Sequence, residues 1–173
     1  MTKDVIAAIE ERRSIREFKE TPIPDATIGR LIESARLAPS AGNLEPWKFV
    51  VVKRDDLKQA LASAAFGQNF IGVAPVCIVV CAEPERSAAR YGERGANLYC
   101  LQDSAAAVQN ILLTATAYGL GSCWVGAFDE TQVKEILGLA PKYKPVAILP
   151  IGYSADEPME IPRRPLEETT LIM

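Results

Sequence analysis

The chain has no histidine. That single absence removes the Ser-His-Asp triad and the Cys-His pair. A zinc site would need cysteines or carboxylates alone, and the sequence shows no cluster suited to one. The four cysteines, Cys77, Cys81, Cys100 and Cys123, include no CxxC pair. They read as reduced, mostly buried thiols of a cytoplasmic protein. No stretch approaches the apolar length of a membrane-spanning helix. The charged N-terminus lacks the long apolar region of a secretory signal. A formal charge of −3 argues against nucleic-acid partners, which call for a basic face. No GxxxxGK phosphate loop occurs, and the third glycine of a GxGxxG fingerprint starting at Gly119 falls at Trp124, so that motif is missing too. Any chemistry must run on something other than imidazole. A redox cofactor meets that condition because it brings its own reactive atom.

What remains is ordinary for a soluble domain: 49% apolar and 24% charged residues in 173. Residues 1–173 read as one domain, large enough to bury roughly 70% of its unfolded surface. Thr2–Arg13 reads as a helix with Val5, Ile6 and Ile9 on one side. Thr21–Pro24 is an extended linker, and Asp25 is the expected N-cap of a helix that buries Ile28, Leu31, Ile32 and Ala35 and stops before Pro39. Trp47–Lys53 is a β-branched and aromatic strand, followed by a helix over Asp55–Ala65. Ala74–Cys81 is a strand apolar on both faces, which puts Cys77 and Cys81 on one of them. Glu83–Arg94 reads as a mobile loop with some helix. Leu98–Tyr118 is the longest helical pattern, ended by Gly119 and Gly121. Ser122–Val125 starts a short strand. Asp129 and Gln132 have capping-box spacing for a helix over Glu130–Leu137, closed by Gly138. Lys144–Tyr153 is the last core strand. The tail from Ser154 is too proline-rich for helix, and its apolar end needs a surface to cover. The order predicts an α+β sandwich around one sheet.

Two segments carry chemistry. Arg12, Arg13, Ser14 and Arg16 gather three guanidinium forks and a hydroxyl, the donors that suit a phosphate. The same residues also fit a solvated basic helix end that balances the dipole. Arg163 and Arg164, between Pro162 and Pro165, add charge to the same phosphate or form a plain surface pair. Pro39, Ser40 and Asn43 lie in a Pro/Ser/Gly/Asn turn that stops a helix. Gly42 there permits close backbone approach, and Asn43 can both donate and accept, as a flat polar ring requires. Trp124 is either core or the wall of an aromatic pocket, and Gly126 leaves room for a ring against the backbone. Tyr91–Gly95 is either a pocket lid or a surface loop. Together the segments suggest a nucleotide-like cofactor, and flavin mononucleotide (FMN) fits best.

Five stretches are similar to the nitroreductase family of FMN-dependent oxidoreductases, in that family's order. They are Glu11–Phe18 (ERRSIREF), Ala38–Val52 (APSAGNLEPWKFVVV), Asp103–Phe128 (DSAAAVQNILLTATAYGLGSCWVGAF), Pro145–Tyr153 (PVAILPIGY) and Pro162–Glu168 (PRRPLEE). The chain resembles the compact bacterial and archaeal members. The resemblance implies a three-layer sandwich with a central, mainly antiparallel sheet flanked by helices, in an intertwined homodimer with two FMN molecules at its interface. It implies that Arg12, Arg13, Ser14 and Arg16 hold phosphate and ribityl chain, with Arg164 and Arg163 closing over the phosphate. Pro39, Ser40 and Asn43 would contact the isoalloxazine from the other subunit. The backbone around Val125 and Gly126 would approach flavin N5, and the tail over 154–173 would wrap onto the partner.

The activity implied is ping-pong hydride transfer from NADH or NADPH through flavin N5 to a small oxidised acceptor, a nitroaromatic, a quinone or free flavin, with no catalytic side chain required. The same residues leave room for a flavin store or sensor, for a cofactor-free interaction domain, and for a flavin-destroying or dehalogenating relative. Glu45 stands where many relatives carry glutamine, and no role is assigned to it. The chain also lacks the length for the inserted helices that shape the substrate pocket in longer relatives.

Overall fold

The computed structural model describes residues 2–158 and 160–173. Three long strands and one short one form a four-stranded sheet: β1 (Trp47–Val52), β2 (Val76–Ala82), β3 (Gly121–Ser122) and β4 (Lys144–Gly152). Their order is β1-β2-β4-β3, and every pairing is antiparallel. β2 is buried at every position, as a central strand covered on both faces must be.

The two-residue period of a strand sorts β2 into two cores. Val76, Ile78 and Val80 join Ala147, Leu149 and Ile151 of β4 in a cluster with α2 (Asp25–Arg36) and α6 (Cys100–Ala117). Cys77, Val79 and Cys81 face the opposite cluster, with Ile148, Leu61 and Val133. That second layer is built from α3 (Asp55–Ala64), α4 (Phe70–Val73) and α7 (Glu130–Leu137). The result is a three-layer α+β sandwich. All four cysteines are free and buried. Burial pushes the Cys77 and Cys81 thiols up to about 12, far from the range where a thiolate reacts.

Several expectations need correction. The first helix is shorter, α1 (Val5–Glu11), because Asp4 caps it by accepting from the Ala7 N–H at 3.0 Å. Its apolar residues do not pack inward: Val5, Ile6 and Ile9 are 63%, 60% and 52% exposed, and Ala8 is the buried one. Asp25 is not the cap of α2. The Pro24 carbonyl accepts from Thr27 and Ile28, so Asp25 becomes the first helical residue, paired with Lys53. The segment read as a mobile loop is helical: α5 (Pro84–Arg94) runs through a five-residue π-helical turn, Gly95–Tyr99, into α6. The proline-rich tail carries one turn of helix, α8 (Leu166–Thr169), started by Pro165. Trp124 is not core, being 41% exposed.

Candidate functional site

The chain leaves α1 at Arg12 and straightens. Its Ile15 N–H then donates to the Ser122 carbonyl at 3.0 Å, and Ser14 bridges Ser122 in parallel. Residues 14–16 thereby line the β3 edge of the sheet. The close approach depends on Gly121, where a Cβ would come 2.6 Å from Ile15 Cγ1. With Ile15 turned into the core, the strand alternation sends Ser14 and Arg16 outward, and both are exposed. Burial pushes the Cys123 thiol up, while the neighbouring Arg16, Ser14 and Arg12 pull it part of the way back.

Arg13 is turned elsewhere. Its guanidinium donates to the Glu10 and Arg12 carbonyls and lies 3.9 Å from Glu160 of the tail. Arg163 and Arg164 are exposed a few residues beyond Glu160. Arg16 sits over the Phe70 ring at 5.9 Å and separates two cavities. One, of about 240 Å³, lies between Arg13, Ser14 and tail residues Asp156, Pro158 and Ile161. The other, of about 840 Å³, is lined by Lys53, Lys58, Asn69 and Phe70 among others. Lys58 is buried with its charge satisfied: its ammonium donates to the Ala74 carbonyl at 2.6 Å and meets Asp55 at 2.9 Å.

Three residues past Cys123 the backbone opens. Val125 is buried and exchanges both its backbone groups with Ile148, at 3.0 and 2.9 Å. Gly126 is exposed, and a Cβ built there would meet only the Trp124 indole nitrogen, at 4.0 Å. Among the described residues the Gly126 N–H has no hydrogen-bond acceptor. Gln68 ties this loop down, donating to both the Ala65 and Ala127 carbonyls, at 3.0 and 3.1 Å.

The turn after α2 is the most contorted stretch of the chain. Gly42, Asn43 and Glu45 all have positive φ, at 60°, 55° and 48°, a region that non-glycine residues enter at a cost. The turn holds itself in part: Asn43 N–H donates to the Ser40 carbonyl and Glu45 N–H to the Ser40 hydroxyl. Its long-range anchor is Asp103 of α6, whose carboxylate accepts the Ala41 N–H with both oxygens, at 3.1 and 3.2 Å. Asp103 is 8% exposed, and burial raises its pKa against the pull of that N–H. Sequence reading assigned Asp103 no role. Pro39 and Asn43 are exposed and Ser40 half-buried. No hydrogen bond or ion pair joins this turn to residues 12–16 among the described residues. The structure therefore sets Ser14 and Ile15 against Ser122, four residues before Gly126, while Gly126 lines a cavity with Trp124, Phe128 and Lys144 and Pro39, Ser40 and Asn43 form a separate group.

The donors fit a phosphorylated flavin. Two guanidiniums and a hydroxyl fall within five residues along the β3 edge, and the chain that leaves β3 carries a glycine with an open N–H. Over residues 9–73 and 63–153 the sequence matches the family model described as the Nitroreductase family. A Thermus thermophilus protein named NADH dehydrogenase is 35% identical, across 97% of this chain and 95% of its own. A putative NADH dehydrogenase/NAD(P)H nitroreductase of Archaeoglobus fulgidus is 36% identical, across 90% of this chain and 88% of its own. The solved NADPH:FMN oxidoreductase of Vibrio harveyi, complexed with NAD+, superposes with a TM-score of 0.89 at 27% identity, covering 98% of this chain and 77% of that one.

Proposed function

The chain belongs to the nitroreductase family, and from that premise we propose that it is an FMN-dependent NAD(P)H oxidoreductase. It takes a hydride from NADH or NADPH and delivers it to a small oxidised acceptor, a nitroaromatic, a quinone or free flavin, with donor and acceptor using the site in alternation. The observation that supports the reading is the Ser14–Ser122 bridge, which sets the Arg12–Arg16 segment along the β3 edge, four residues before the open Gly126 backbone. Bound FMN supplies the hydride-accepting centre, so no histidine or reactive thiol is needed.

The protein's own residues bind and orient. Arg12 and Arg16 neutralise the phosphate, and Ser14 donates to it or to the ribityl chain. Arg13, Arg163 and Arg164 close the tail side. The Gly126 N–H lies free to meet a polar atom of the ring, beside the buried Val125 backbone. Pro39, Ser40 and Asn43 reach the ring of the flavin held by the partner protomer, which accounts for their separation from residues 12–16 in one chain.

The working unit is accordingly a homodimer of the whole 173-residue domain, with residues 154–173 laid on the partner. The exposed apolar side chains of α1 (Val5, Ile6, Ile9) and of the tail (Leu166, Leu171, Ile172, Met173) support that arrangement, since patches of this kind mark interfaces. The cytoplasm suits four unpaired thiols. Anaerobic mixing of the yellow protein with NADPH or NADH tests the function. Bleaching of the flavin absorbance, then its recovery on adding a quinone, is the expected result. Persistent yellow colour with both nucleotides would refute it.

A further inference from the structure

The helix that replaces the expected loop carries chemistry that the reading above does not use. Arg86 and Arg90 stand one turn apart on α5, and Arg94 follows beyond the break at Gly92. All three are exposed. None has a carboxylate within 4.0 Å among the described residues. Glu83 is taken by Lys142 at 3.4 Å, and Glu85 and Glu93 of α5, like Glu45 of the neighbouring turn, are not paired with the row.

Uncharged partners orient the guanidiniums instead. Arg86 Nε donates to the Leu44 carbonyl. Arg94 Nε donates to the Tyr99 hydroxyl at 2.9 Å, and its guanidinium lies 5.2 Å from the centre of that ring. Arg90 lies 5.5 Å from the Tyr91 ring centre. Tyr91 and Tyr99 meet edge to face at 5.2 Å, which ties the two sides of the Gly92 break together. Guanidiniums held in this way keep most of their N–H donors for an incoming anion.

Arg86 and Arg90 lie against the turn that the proposed function sets against the flavin ring. A Cβ on Gly42 would come 2.8 Å from Arg90 Nη1 and 2.6 Å from the Tyr91 hydroxyl. A dinucleotide donor whose nicotinamide stacks on the flavin must leave its phosphoryl groups outside the ring pocket. This chain has no glycine fingerprint or phosphate loop to receive them. Of the acceptors named above, quinones and nitroaromatics bring no comparable charge, and free flavin brings one only as FMN.

We propose that Arg86, Arg90 and Arg94 form an anion subsite for a phosphoryl group of the dinucleotide donor, its 2′-phosphate or its pyrophosphate. The inference rests on the oxidoreductase reading above.

The test uses FMN-loaded protein and the variants Arg90→Gln, Arg90→Lys and Arg86→Gln/Arg90→Gln. Each is titrated calorimetrically with adenosine 2′,5′-bisphosphate and with ADP, and then assayed for KM with NADPH and NADH. Loss of one charge-assisted bond weakens binding by about tenfold or more, with Arg90→Lys retaining part of it. A loss confined to the bisphosphate and NADPH assigns the 2′-phosphate. An equal loss for ADP and NADH assigns the pyrophosphate. Unchanged dissociation constants and KM values in the double variant would overturn the subsite. FMN retention and flavin bleaching in the same samples report separately on the oxidoreductase reading.

Discussion

Asp103 shows how one side chain can fix the shape of a distant turn. Its carboxylate takes the Ala41 N–H with both oxygens from a position sixty-two residues away, and the turn it holds contains three residues at positive φ. Asp103→Ala leaves that N–H without its partner, which costs about 1–3 kcal/mol. Denaturant unfolding of the variant measures the loss. The raised Asp103 pKa also gives a pH signature. A carboxyl raised above its unfolded value stabilises the fold most when protonated, and that contribution fades as pH climbs through the folded pKa. Asp103→Asn keeps an acceptor for the Ala41 N–H and cannot ionise. Its unfolding free energy therefore declines less than the parent's from about pH 4 upward, and an identical decline in both would refute the assignment. Nothing in the sequence announced this pairing. An aspartate in the first turn of an apolar helix reads as a dipole partner, and its real partner is a backbone group that no side-chain pattern marks. Arg12, Ser14 and Arg16 stood out as candidates because their chemistry lies in the side chains themselves.

Elements were legible where one local force dominated. β1, β2 and β4 follow from runs of Val, Ile and aromatic residues. α7 follows from the Asp129–Gln132 cap, where the Gln132 N–H reaches the Asp129 carboxylate at 3.0 Å, and from Gly138 at its end. α5 defeated local reading because it is polar and Gly92 interrupts it. Tertiary fit settles its shape: across the Gly92 break, Gly95 packs so closely on the first half of α5 that a Cβ would lie 2.4 Å from the Ser87 carbonyl oxygen. α1 failed differently. Its apolar stripe is real, but in one protomer it faces outward. Gly42→Ala is unfavourable chiefly through its positive φ, and it also makes the ends of the Tyr91 and Arg90 side chains move. A loss of roughly 1–2 kcal/mol in thermal or denaturant unfolding is expected. Weaker FMN binding should accompany it if the turn meets the ring of the partner's flavin, as proposed. A neutral effect on both would contradict the packing.

At the scale of the molecule, two side-chain clusters share one sheet, and the candidate site forms where the sheet's β3 edge, α1 and the tail meet. An α+β sandwich around one sheet was legible because buried strands and amphipathic helices each advertise their faces; its three layers were implied by the family resemblance. The proposed division of the site between residues 12–16 and the turn over 39–45 came from the family resemblance and not from local pattern, since it depends on what one chain leaves uncovered. Ile9→Glu tests the proposed completion by a second copy. Ile9 is 52% exposed in the protomer, so a charge there should change protomer stability by no more than about 0.5 kcal/mol. The parent should sediment as a dimer that holds FMN, and the variant as a monomer that has lost it. A dimeric, FMN-loaded variant would place the interface elsewhere.

The central claim, that Arg12, Ser14 and Arg16 grip the phosphate of a flavin, is tested most directly by comparing FMN with riboflavin, which lacks only that phosphate. Dissociation constants are measured for the parent and for Arg16→Ala. The account predicts that the parent favours FMN by at least about tenfold, and that the variant loses most of that preference while its riboflavin affinity changes little. An equal preference for FMN in parent and variant would contradict it.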